Sequence, residues 1–418
     1  MRFIDLFSGL GGFHVGLTKH GHQCVFACEI DDELRILYSK NHKISPYGDI
    51  RDIKIESIPE HEILCAGFPC QPFSLAGKKK GAKCPESGKL IQYVIDIAKK
   101  HTPQIILLEN VPNIITIEEG KFWRYVKSSF ERIGYTLDYK VFSPSDFGIP
   151  QNRKRVFVVG LKKGGVGFTW PLPNPKPMKS LYAILDDSLP HMKLEAPKSR
   201  ILKKWQILLD KLSLDELPSI SLVAPEFGAT YPINFVSLQL DEIRQFNGAY
   251  GVPLKNCASW DEVLLLLPSY VRNHSMVPNW LIKSVNFSRN LYHKKTDICL
   301  EWSHDLPRKY NSWQILEWRG ERHRLTINAH LVQFRASGIR VLRSHIAPSL
   351  ISMTPTQIPI IPEKNRYLAP LEAAKLQYLH TLPNIPKNPR SAFKAFGNAV
   401  NAKIIELIAG NLPMVSVS

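Results

Sequence analysis

The strongest constraint on the fold is a regular alternation of short apolar runs with helix-like stretches, which continues to about Leu161. Such alternation is typical of a parallel sheet covered by helices on both faces, so we expect an α/β fold. The predicted strands are Phe3–Phe7, Gln23–Glu29, His61–Ala66, Ile105–Glu109, Tyr135–Ser143 and Arg155–Leu161. The predicted helices are Val15–His20, Asp32–Lys40 (with Asp31 as its N-cap), Leu90–Lys100 and Phe122–Ile133.

The alternation stops at Trp170–Lys179, which contains four prolines and is predicted to be a linker. Beyond it the sequence looks irregular, with aromatic and basic residues interleaved, until helices are predicted again at Pro370–Tyr378 and Asn401–Leu412. A chain of 418 residues exceeds what one compact core usually holds. We therefore expect a sheet domain at 1–165, a second, smaller domain with its linkers at 166–369, and a C-terminal return at 370–418 that packs on the first domain.

The chain carries a formal net charge of +17 and has a pI of about 9.5. A basic excess of this size suits a polyanionic partner, either nucleic acid or an anionic membrane surface, although scattered surface lysines would give the same total. No apolar run reaches the length of a membrane-spanning helix, and Asp5 interrupts any signal-peptide core, so we expect a cytoplasmic protein. The seven cysteines are expected to be reduced thiols.

A glycine-rich segment, Phe7–Gly12 (FSGLGG), lies between a predicted strand and a predicted helix. That is where a nucleotide-type ligand binds an α/β sheet, and an acid about 20 residues further on is well placed to hold ribose hydroxyls. Glu29 ends the next predicted strand at that spacing. His14 replaces the third glycine of the dinucleotide fingerprint, which argues against a nicotinamide dehydrogenase. A glycine turn alone is also common in any tight strand-to-helix connection.

A cysteine, Cys70, follows the strand that ends at Ala66 and is flanked by two prolines and a lysine-rich stretch. A thiol at the ligand-binding edge of a sheet, in a positive field, is a candidate nucleophile; the alternative is a buried, inert cysteine, which fits Cys65 better. Cys24 and Cys28 are predicted to lie too far apart along one strand to share a metal ion, so no metal site is expected.

Further polar residues follow the later predicted strands. Glu109 ends an apolar strand, as either a solvent-reaching edge residue or a functional acid. In Gln151–Arg155 (QNRKR), the residues at 151, 153 and 155 would share one face of a strand and suit a phosphate or an extruded base, or simply form a solvated strand end.

Five motifs in one order give a specific resemblance. The chain resembles the cytosine-5 DNA methyltransferase family through FSGLGG (7–12), PCQ (69–71), ENV (109–111), QNRKR (151–155) and GNAV (397–400). The resemblance covers roughly residues 1–161 and 340–412, and it implies a Rossmann-like S-adenosylmethionine-dependent fold with a variable target-recognition domain between the two parts.

The resemblance also implies roles for individual residues. Cys70 would attack carbon 6 of cytosine, Glu109 would donate to ring nitrogen 3, and Arg153 and Arg155 would hold the base and the cysteine loop. The implied cofactor-binding residues are Phe7, Gly9, Leu10, Gly11, Gly12, Glu29, Ile30, Asp49, Ile50, Pro69, Asn398 and Val400. The expected DNA-binding residues are Gln71, Ser74, Lys78, Arg319, Arg322, Arg324, Arg335 and Arg343.

The expected partner is duplex DNA, methylated by a monomeric enzyme of a bacterial restriction-modification system without a metal or a membrane. Two alternatives stay open: a tRNA cytosine-5 methyltransferase of the same fold, and a catalytically silent DNA-binding relative. The long region between Pro171 and Val341 argues against the first, and the intact Cys70, Glu109 and Arg155 argue against the second.

Overall fold

The structure is a computed structural model that describes residues 1–69, 87–163, 167–176, 180–217, 221–272, 277–350 and 357–413. Its contacts divide the chain into two compact units. The first unit comprises Met1–Pro190, His345–Pro355 and Ala369–Ser418, and the second comprises His191–Ser344 and Thr356–Leu368. The sequence had predicted divisions at 165 and 370; in the structure the first segment of the first unit ends at Pro190, and its last segment begins at Ala369. Residues 181 and 345–348 belong to the first unit, where the Leu181 amide donates to the His345 carbonyl and Ala347 pairs with Gln151.

A six-stranded sheet forms the centre of the first unit, in the order β2-β1-β3-β4-β7-β5. Its strands are β1 (Arg2–Leu6), β2 (Gln23–Cys28), β3 (Ile63–Ala66), β4 (Ile105–Asn110), β5 (Tyr135–Phe142) and β7 (Arg155–Lys162). The short β6 (Gln151–Asn152) pairs separately with β12 (Ala347–Pro348). The helices are α1 (Gly12–Thr18), α2 (Asp32–His42), α3 (Ser87–His101), α4 (Lys121–Arg132), α11 (Pro370–Leu376), α12 (Pro389–Asn398) and α13 (Ala402–Ala409). The predicted Asp31 cap is confirmed, since its carboxylate accepts from the amides of Glu33 and Leu34.

Two apolar cores lie on the two faces of this sheet, because alternate residues of each strand point to opposite sides. On one face, residues such as Ile4 and Ile106 pack with Val94 of α3 and Phe130 of α4. On the other face, the apolar residues of the strands pack with α1 and with α13. The expected coverage of both faces is therefore confirmed, with a helix from the C-terminal segment completing one of them.

The alternation had suggested a wholly parallel sheet, but the sheet also contains antiparallel pairs. β1, β2, β3 and β4 are parallel, whereas β7 runs antiparallel to both β4 and β5. A parallel neighbour needs a crossover connection of a dozen or more residues, usually a helix. The segment between β5 and β7 contains only a short turn and β6, so the chain returns beside β5 in the opposite direction.

The second unit is more regular than its sequence suggested, since it contains a mixed six-stranded sheet in the order β14-β13-β10-β11-β9-β8. Its strands are β8 (Ser221–Val223), β9 (Ile315–Arg319), β10 (Leu331–Arg335), β11 (Gly338–Leu342), β13 (Ile360–Ile361) and β14 (Arg366–Tyr367). Its helices are α5 (Ala196–Leu209), α6 (Leu240–Ile243), α7 (Trp260–Leu266), α8 (Ser269–Arg272), α9 (Asn279–Lys294) and α10 (Thr296–His304). The strands have two to five residues each, too few for a clear period-two pattern.

Close contact between α1 and α13 joins the two ends of the first unit. A Cβ atom at Gly16 of α1 would lie 2.6 Å from both Cβ and Cγ2 of Ile405, and 2.8 Å from the carbonyl oxygen of Ala402. These distances are shorter than van der Waals contact, so only glycine allows the two helices to approach this closely.

We predict that Gly16→Ala lowers the free energy of unfolding by roughly 1–3 kcal/mol, because the added methyl group overpacks this helix contact. Gly167→Ala is the matched control, since a Cβ there would have nothing within 4 Å. Urea unfolding followed by circular dichroism measures both changes. Equal stabilities of the two variants would contradict the packing argument.

Candidate active site

The carboxyl ends of four parallel strands meet at one edge of the first sheet. In the sheet, β2 lies on one side of β1 and β3 lies on the other side. A strand order that reverses in this way creates a crevice where α/β sheets bind ligands. The segments that follow these strands begin at Phe7, Glu29, Gly67 and Val111. The sheet thus brings the FSGLGG motif, the segment 67–69 and the ENV motif to a common edge.

The glycine loop after β1 has a backbone that few side chains tolerate. Phe7 has a φ of 58°, which is costly for a bulky residue and is typical of functional sites. Gly11 has a φ of 89°, and a Cβ at Gly12 would lie 2.3 Å from the carbonyl oxygen of Val400. A Cβ at Gly9, in contrast, would have nothing within 4 Å, so the loop is open at that point.

An acid from the end of β2 holds this loop. The Glu29 carboxylate accepts one hydrogen bond from the Gly9 amide at 2.8 Å and another from the Asp31 amide at 2.9 Å. The neighbouring Ile30 is 64% exposed and presents an apolar surface at the same edge. Glu29 therefore orders the loop and still has lone pairs with which to accept from a ligand.

Asp49 and Ile50 follow at the start of a short 3-10 turn. The Asp49 carboxylate accepts from the Arg51 amide at 2.9 Å and pairs with the Arg51 guanidinium. This hydrogen bonding to Arg51 lowers the pKa of Asp49. The side chain of Ile50 is buried.

A buried polar network beneath the glycine loop was missed by the sequence analysis. The Tyr38 hydroxyl lies 3.3 Å from an Asp5 carboxylate oxygen and 2.8 Å from Nδ1 of His14. His14 stacks on His42, whose Nε2 donates to the Leu10 carbonyl at 3.1 Å. Burial raises the pKa of Asp5 well above its usual value. It lowers the pKa of His14 to about 3 and also lowers the pKa of His42, so both imidazoles are neutral and support the loop without charge. The one visible signal was the acid Asp5 inside the apolar strand β1.

The segment after β3 is held by the ENV motif. The Asn110 side chain donates to the Phe68 carbonyl at 3.1 Å and accepts from the Val111 amide at 2.9 Å. Phe68 is buried and Pro69 is exposed, so the chain emerges from the sheet at Pro69. The predicted residues Cys70, Gln71, Ser74 and Lys78 lie outside the described residues.

Glu109 places a buried carboxylate at the end of β4. Its Oε1 atom lies 3.2 Å from Nε of Arg155, and its Oε2 atom is 3.9 Å from where a Cβ of Gly67 would be. Burial raises the pKa of Glu109, although Arg155 and Arg153 oppose the shift. A carboxyl group that is protonated more readily than usual is suited to donate a hydrogen bond or a proton.

Arg153 and Arg155 were predicted to share one face of a strand. They do not, because β6 ends at Asn152 and β7 begins at Arg155. Its buried guanidinium donates through Nη2 to the carbonyl oxygens of Gly397 at 2.8 Å and Ala399 at 3.1 Å. Through Nη1 it reaches the Ser349 hydroxyl and the Leu350 carbonyl at 3.3 and 3.4 Å. Arg153 therefore fixes the GNAV segment, whereas Arg155 pairs with the carboxylate. The third predicted side chain of this set, that of Gln151, is also buried and accepts from the amide of Gln377 at 2.7 Å.

The GNAV segment closes the site from the C-terminal side. Val400 lies against Gly12, and its Cγ2 atom is 3.1 Å from the position of a Cβ at Gly67. The preceding Asn398 is exposed at the end of α12. The structure thus brings Val400 to the glycine loop and to the end of β3.

The predicted DNA-contacting arginines of the second unit lie in two settings. Arg319 and Arg335 stand on the same sheet, both beside Glu317. Arg322, Arg324 and Arg343 are exposed outside the strands.

No described helix is long and apolar enough to cross a membrane. No group of three or more His, Cys, Asp or Glu side chains with metal-binding geometry occurs among the residues that the structure describes.

The order of these motifs on this sheet has a counterpart in known proteins. A family model described as C-5 cytosine-specific DNA methylase matches residues 1–213, which is half of the chain. The chain belongs to this family. The family resemblance found in the sequence is therefore confirmed.

Individual relatives match over part of their length. The chain is 37% identical over 188 residues to a type II methyltransferase, M.MspI, of a Moraxella species, covering 45% of each chain. It is 32% identical over 252 residues to the type II methyltransferase M.BsuFI of Bacillus subtilis, covering 60% of this chain and 59% of the relative. The chain spans about half the length of the first curated relatives it matches.

The fold has a counterpart among solved structures as well. An E. coli structure, described as a DNA modification methyltransferase encoded within a prophage, superposes with a TM-score of 0.55 at 17% identity and 98% coverage of both chains. At this identity the similarity supports the α/β fold alone.

We predict that Arg153→Lys lowers the free energy of unfolding by roughly 1–3 kcal/mol, because lysine cannot reach two carbonyl oxygens with one planar fork and leaves buried acceptors unsatisfied. Arg124→Lys is the matched control, since Arg124 is exposed and, among the described residues, donates only to the Glu119 carbonyl. Thermal unfolding of both variants tests this. If Arg153→Lys is as stable as the wild type, the guanidinium does not fix the GNAV segment.

Proposed function

We propose that this protein transfers a methyl group from S-adenosylmethionine to carbon 5 of cytosine in duplex DNA, with Cys70 as a covalent nucleophile. The observation that carries the proposal is the buried Glu109, with its raised pKa, beside the end of the strand that leads to Cys70. Membership of the C-5 cytosine-specific DNA methylase family supports the same reaction. The names of its relatives, type II methyltransferases, favour a role in restriction-modification.

The chemistry requires a covalent step because carbon 5 of cytosine is a weak nucleophile. The Cys70 thiolate forms a bond to carbon 6, and the electron pair of the 5,6 double bond moves so that carbon 5 attacks the methyl group, whose bond to sulfur breaks with its electron pair staying on the sulfur. Loss of the proton from carbon 5 then restores the double bond and expels the thiolate. Covalent catalysis of this kind divides one difficult step into two easier ones.

Glu109 stabilises this adduct in the proposal. As the thiolate adds, electron density builds on the ring, and a neutral carboxyl group at ring nitrogen 3 donates a hydrogen bond or a proton to it. Arg155, 3.2 Å from the carboxylate, orients Glu109 and limits the rise of its pKa. The base has to leave the duplex to reach these groups, at a cost of roughly a few kcal/mol.

The residues at the glycine loop fit an adenosyl ligand. The Gly9 position is open, the buried Ser8 hydroxyl has no hydrogen-bond partner among the described residues, and Ile30 is exposed beside Glu29. S-adenosylmethionine would supply the electrophilic methyl group. Glu29 would bind its ribose hydroxyls, Ile30 and Ile50 would contact its adenine with Asp49, and Val400 would close the pocket.

We predict that the wild-type protein forms a covalent complex with duplex DNA containing 5-fluorocytosine when S-adenosylmethionine is present. Fluorine cannot leave carbon 5 as a proton does, so the adduct persists through denaturing electrophoresis. Cys70→Ser is expected to abolish the complex, and Cys65→Ser, on the preceding strand β3, is the cysteine control. A complex that survives Cys70→Ser would contradict the assigned nucleophile, and a complex formed only on tRNA would contradict the DNA substrate.

We predict that Glu109→Gln lowers the methylation rate by roughly 10²–10⁴-fold, the usual contribution of a general acid. The same change is not expected to lower stability at neutral pH. Because burial raises the pKa of Glu109, the wild-type protein loses stability as the pH rises from the unfolded-state pKa through the folded-state pKa, and glutamine lacks this charge penalty. Methylation kinetics and thermal unfolding measured from pH 5 to pH 8 test both parts.

Glu131→Gln is the control for this variant, because Glu131 is exposed on α4 and remote from the sheet edge in sequence and fold. A Glu109→Gln protein that keeps wild-type activity would exclude Glu109 as the acid. A fall in both stability and activity would instead indicate that the charged pair with Arg155 is structural.

A further inference from the structure

A polar row crosses four strands of the sheet in the second unit. Ser221 of β8 pairs with Glu317 of β9, Glu317 with Arg340 of β11, and Arg340 with Gln333 of β10. Directly paired residues project from the same face of a sheet, so these four side chains stand side by side. The opposite face is apolar, with Val332, Val341 and Trp318 in one of its rows. Ser221 and Gln333 are buried, whereas Arg340 is partly exposed. The exposed part of this face therefore suits a polar partner.

Glu317 organises the charges on this face. Its Oε1 atom accepts from Nε of Arg319 at 2.8 Å, and its Oε2 atom accepts from Nε of Arg340 at 2.6 Å. A third arginine, Arg335, brings its Nη1 atom to 3.9 Å from the same carboxylate. Three guanidinium groups therefore share one carboxylate, and the face keeps a net charge of +2.

The way in which Glu317 binds these arginines leaves their outer nitrogens available. Both Arg319 and Arg340 use Nε, the inner nitrogen of the guanidinium fork, and their side chains are 53% and 30% exposed. Among the described residues, the Nη atoms of neither arginine make a hydrogen bond. Each arginine thus presents a fixed, outward pair of donors.

Two buried polar atoms beside the row also have no hydrogen-bond partner in the described part of the chain, Nη1 of Arg335 and Oε1 of Gln357. Gln357 is tied to the row, because its carbonyl accepts from the Gln333 side chain at 2.5 Å. Burial and the nearby Arg340 lower the pKa of Arg335, whereas Glu317, at 3.9 Å, raises it. Because the unpaired atoms of Arg335 and Gln357 are buried, the donors of this face that a ligand can reach are those of Arg319 and Arg340.

We propose that this face reads guanine in duplex DNA, with Arg340 and Arg319 as the reading residues and Glu317 as the positioning residue. The proposal rests on the proposed function and names the residues that set its target. Guanine offers two adjacent acceptors, O6 and N7, in the major groove, and an arginine fork is the commonest specific contact to them. The Glu317 carboxylate at the centre would repel a phosphate, so base edges fit this face better than the DNA backbone does.

The experiment is methylation of a random-sequence duplex DNA pool with S-adenosylmethionine, followed by sequencing after bisulfite conversion to read each methylated cytosine and its neighbours. The wild-type protein is compared with Arg340→Ala, Arg340→Lys, Arg319→Ala and Glu317→Gln. Arg200→Ala is the matched control, because Arg200 is an exposed arginine on α5 of the same unit and lies outside this sheet.

We expect the wild type to require a guanine at a defined position, and Arg340→Ala to reduce that preference by roughly 10- to 100-fold at that position alone. Arg340→Lys is expected to relax the same position, because lysine keeps the charge but lacks the fork. Glu317→Gln should weaken the preference through loss of orientation. Arg200→Ala should keep the wild-type preference.

Two results would overturn the assignment. One is that the Arg340 and Arg319 variants each retain the wild-type preference; the other is that they slow methylation of every sequence equally, as loss of a phosphate contact does. Because Arg340→Lys and Arg319→Ala change different side chains, misfolding of Arg340→Ala does not remove the test. A wild-type protein that methylates no duplex DNA would overturn the proposed function and this assignment together, whereas a wild type with a preference that its variants share overturns the assignment only.

Discussion

The buried guanidinium of Arg153 joins parts of the chain that are far apart in sequence. It holds the carbonyl oxygens of Gly397 and Ala399, and it also bonds near Ser349. A buried cation needs acceptors on every side, and backbone carbonyls supply them without adding another charge. Once the GNAV segment is fixed in this way, Val400 lies against Gly12 and Gly67 and covers the site at the ends of β1 and β3.

Charge is used differently at the sheet edge and beneath it. Below the glycine loop, Asp5, His14 and His42 form a network in which burial favours the neutral form of each group. At the edge, Glu109 faces Arg155, and two opposing effects act on its pKa. The neutral network keeps the loop rigid over a wide pH range, whereas the Glu109 carboxyl is left responsive to pH. This separation places an acid with a raised pKa beside the end of β3.

Much of the first unit could be predicted from sequence, because its strands are apolar and flanked by clear glycine and proline signals. The ends of β2 and β4 lie within a residue of the predicted ones. The antiparallel direction of β7 could not be predicted from periodicity, since it depends on the length of the connection from β5. The division of labour between Arg153 and Arg155 was also hidden, because a break in the strand at 153–154 turns the two side chains to different partners. In the second unit, short strands hid the sheet, and Arg340 was not singled out because its importance comes from pairing with Glu317.

The contact between α1 and α13 has a consequence for how the protein is made. Gly16 and Ile405 touch across nearly the whole length of the chain, and every residue of the second unit is synthesised between them. Contacts of such sequence separation form late and slowly, because a long loop must close first. A ribosome-bound chain that has formed β1 to β7 therefore still lacks α13, which covers one face of the sheet, and Val400, which lines the crevice. The nascent protein would stay inactive until α13 has left the ribosome, and during that interval the uncovered face of its sheet is the surface that chaperones would bind.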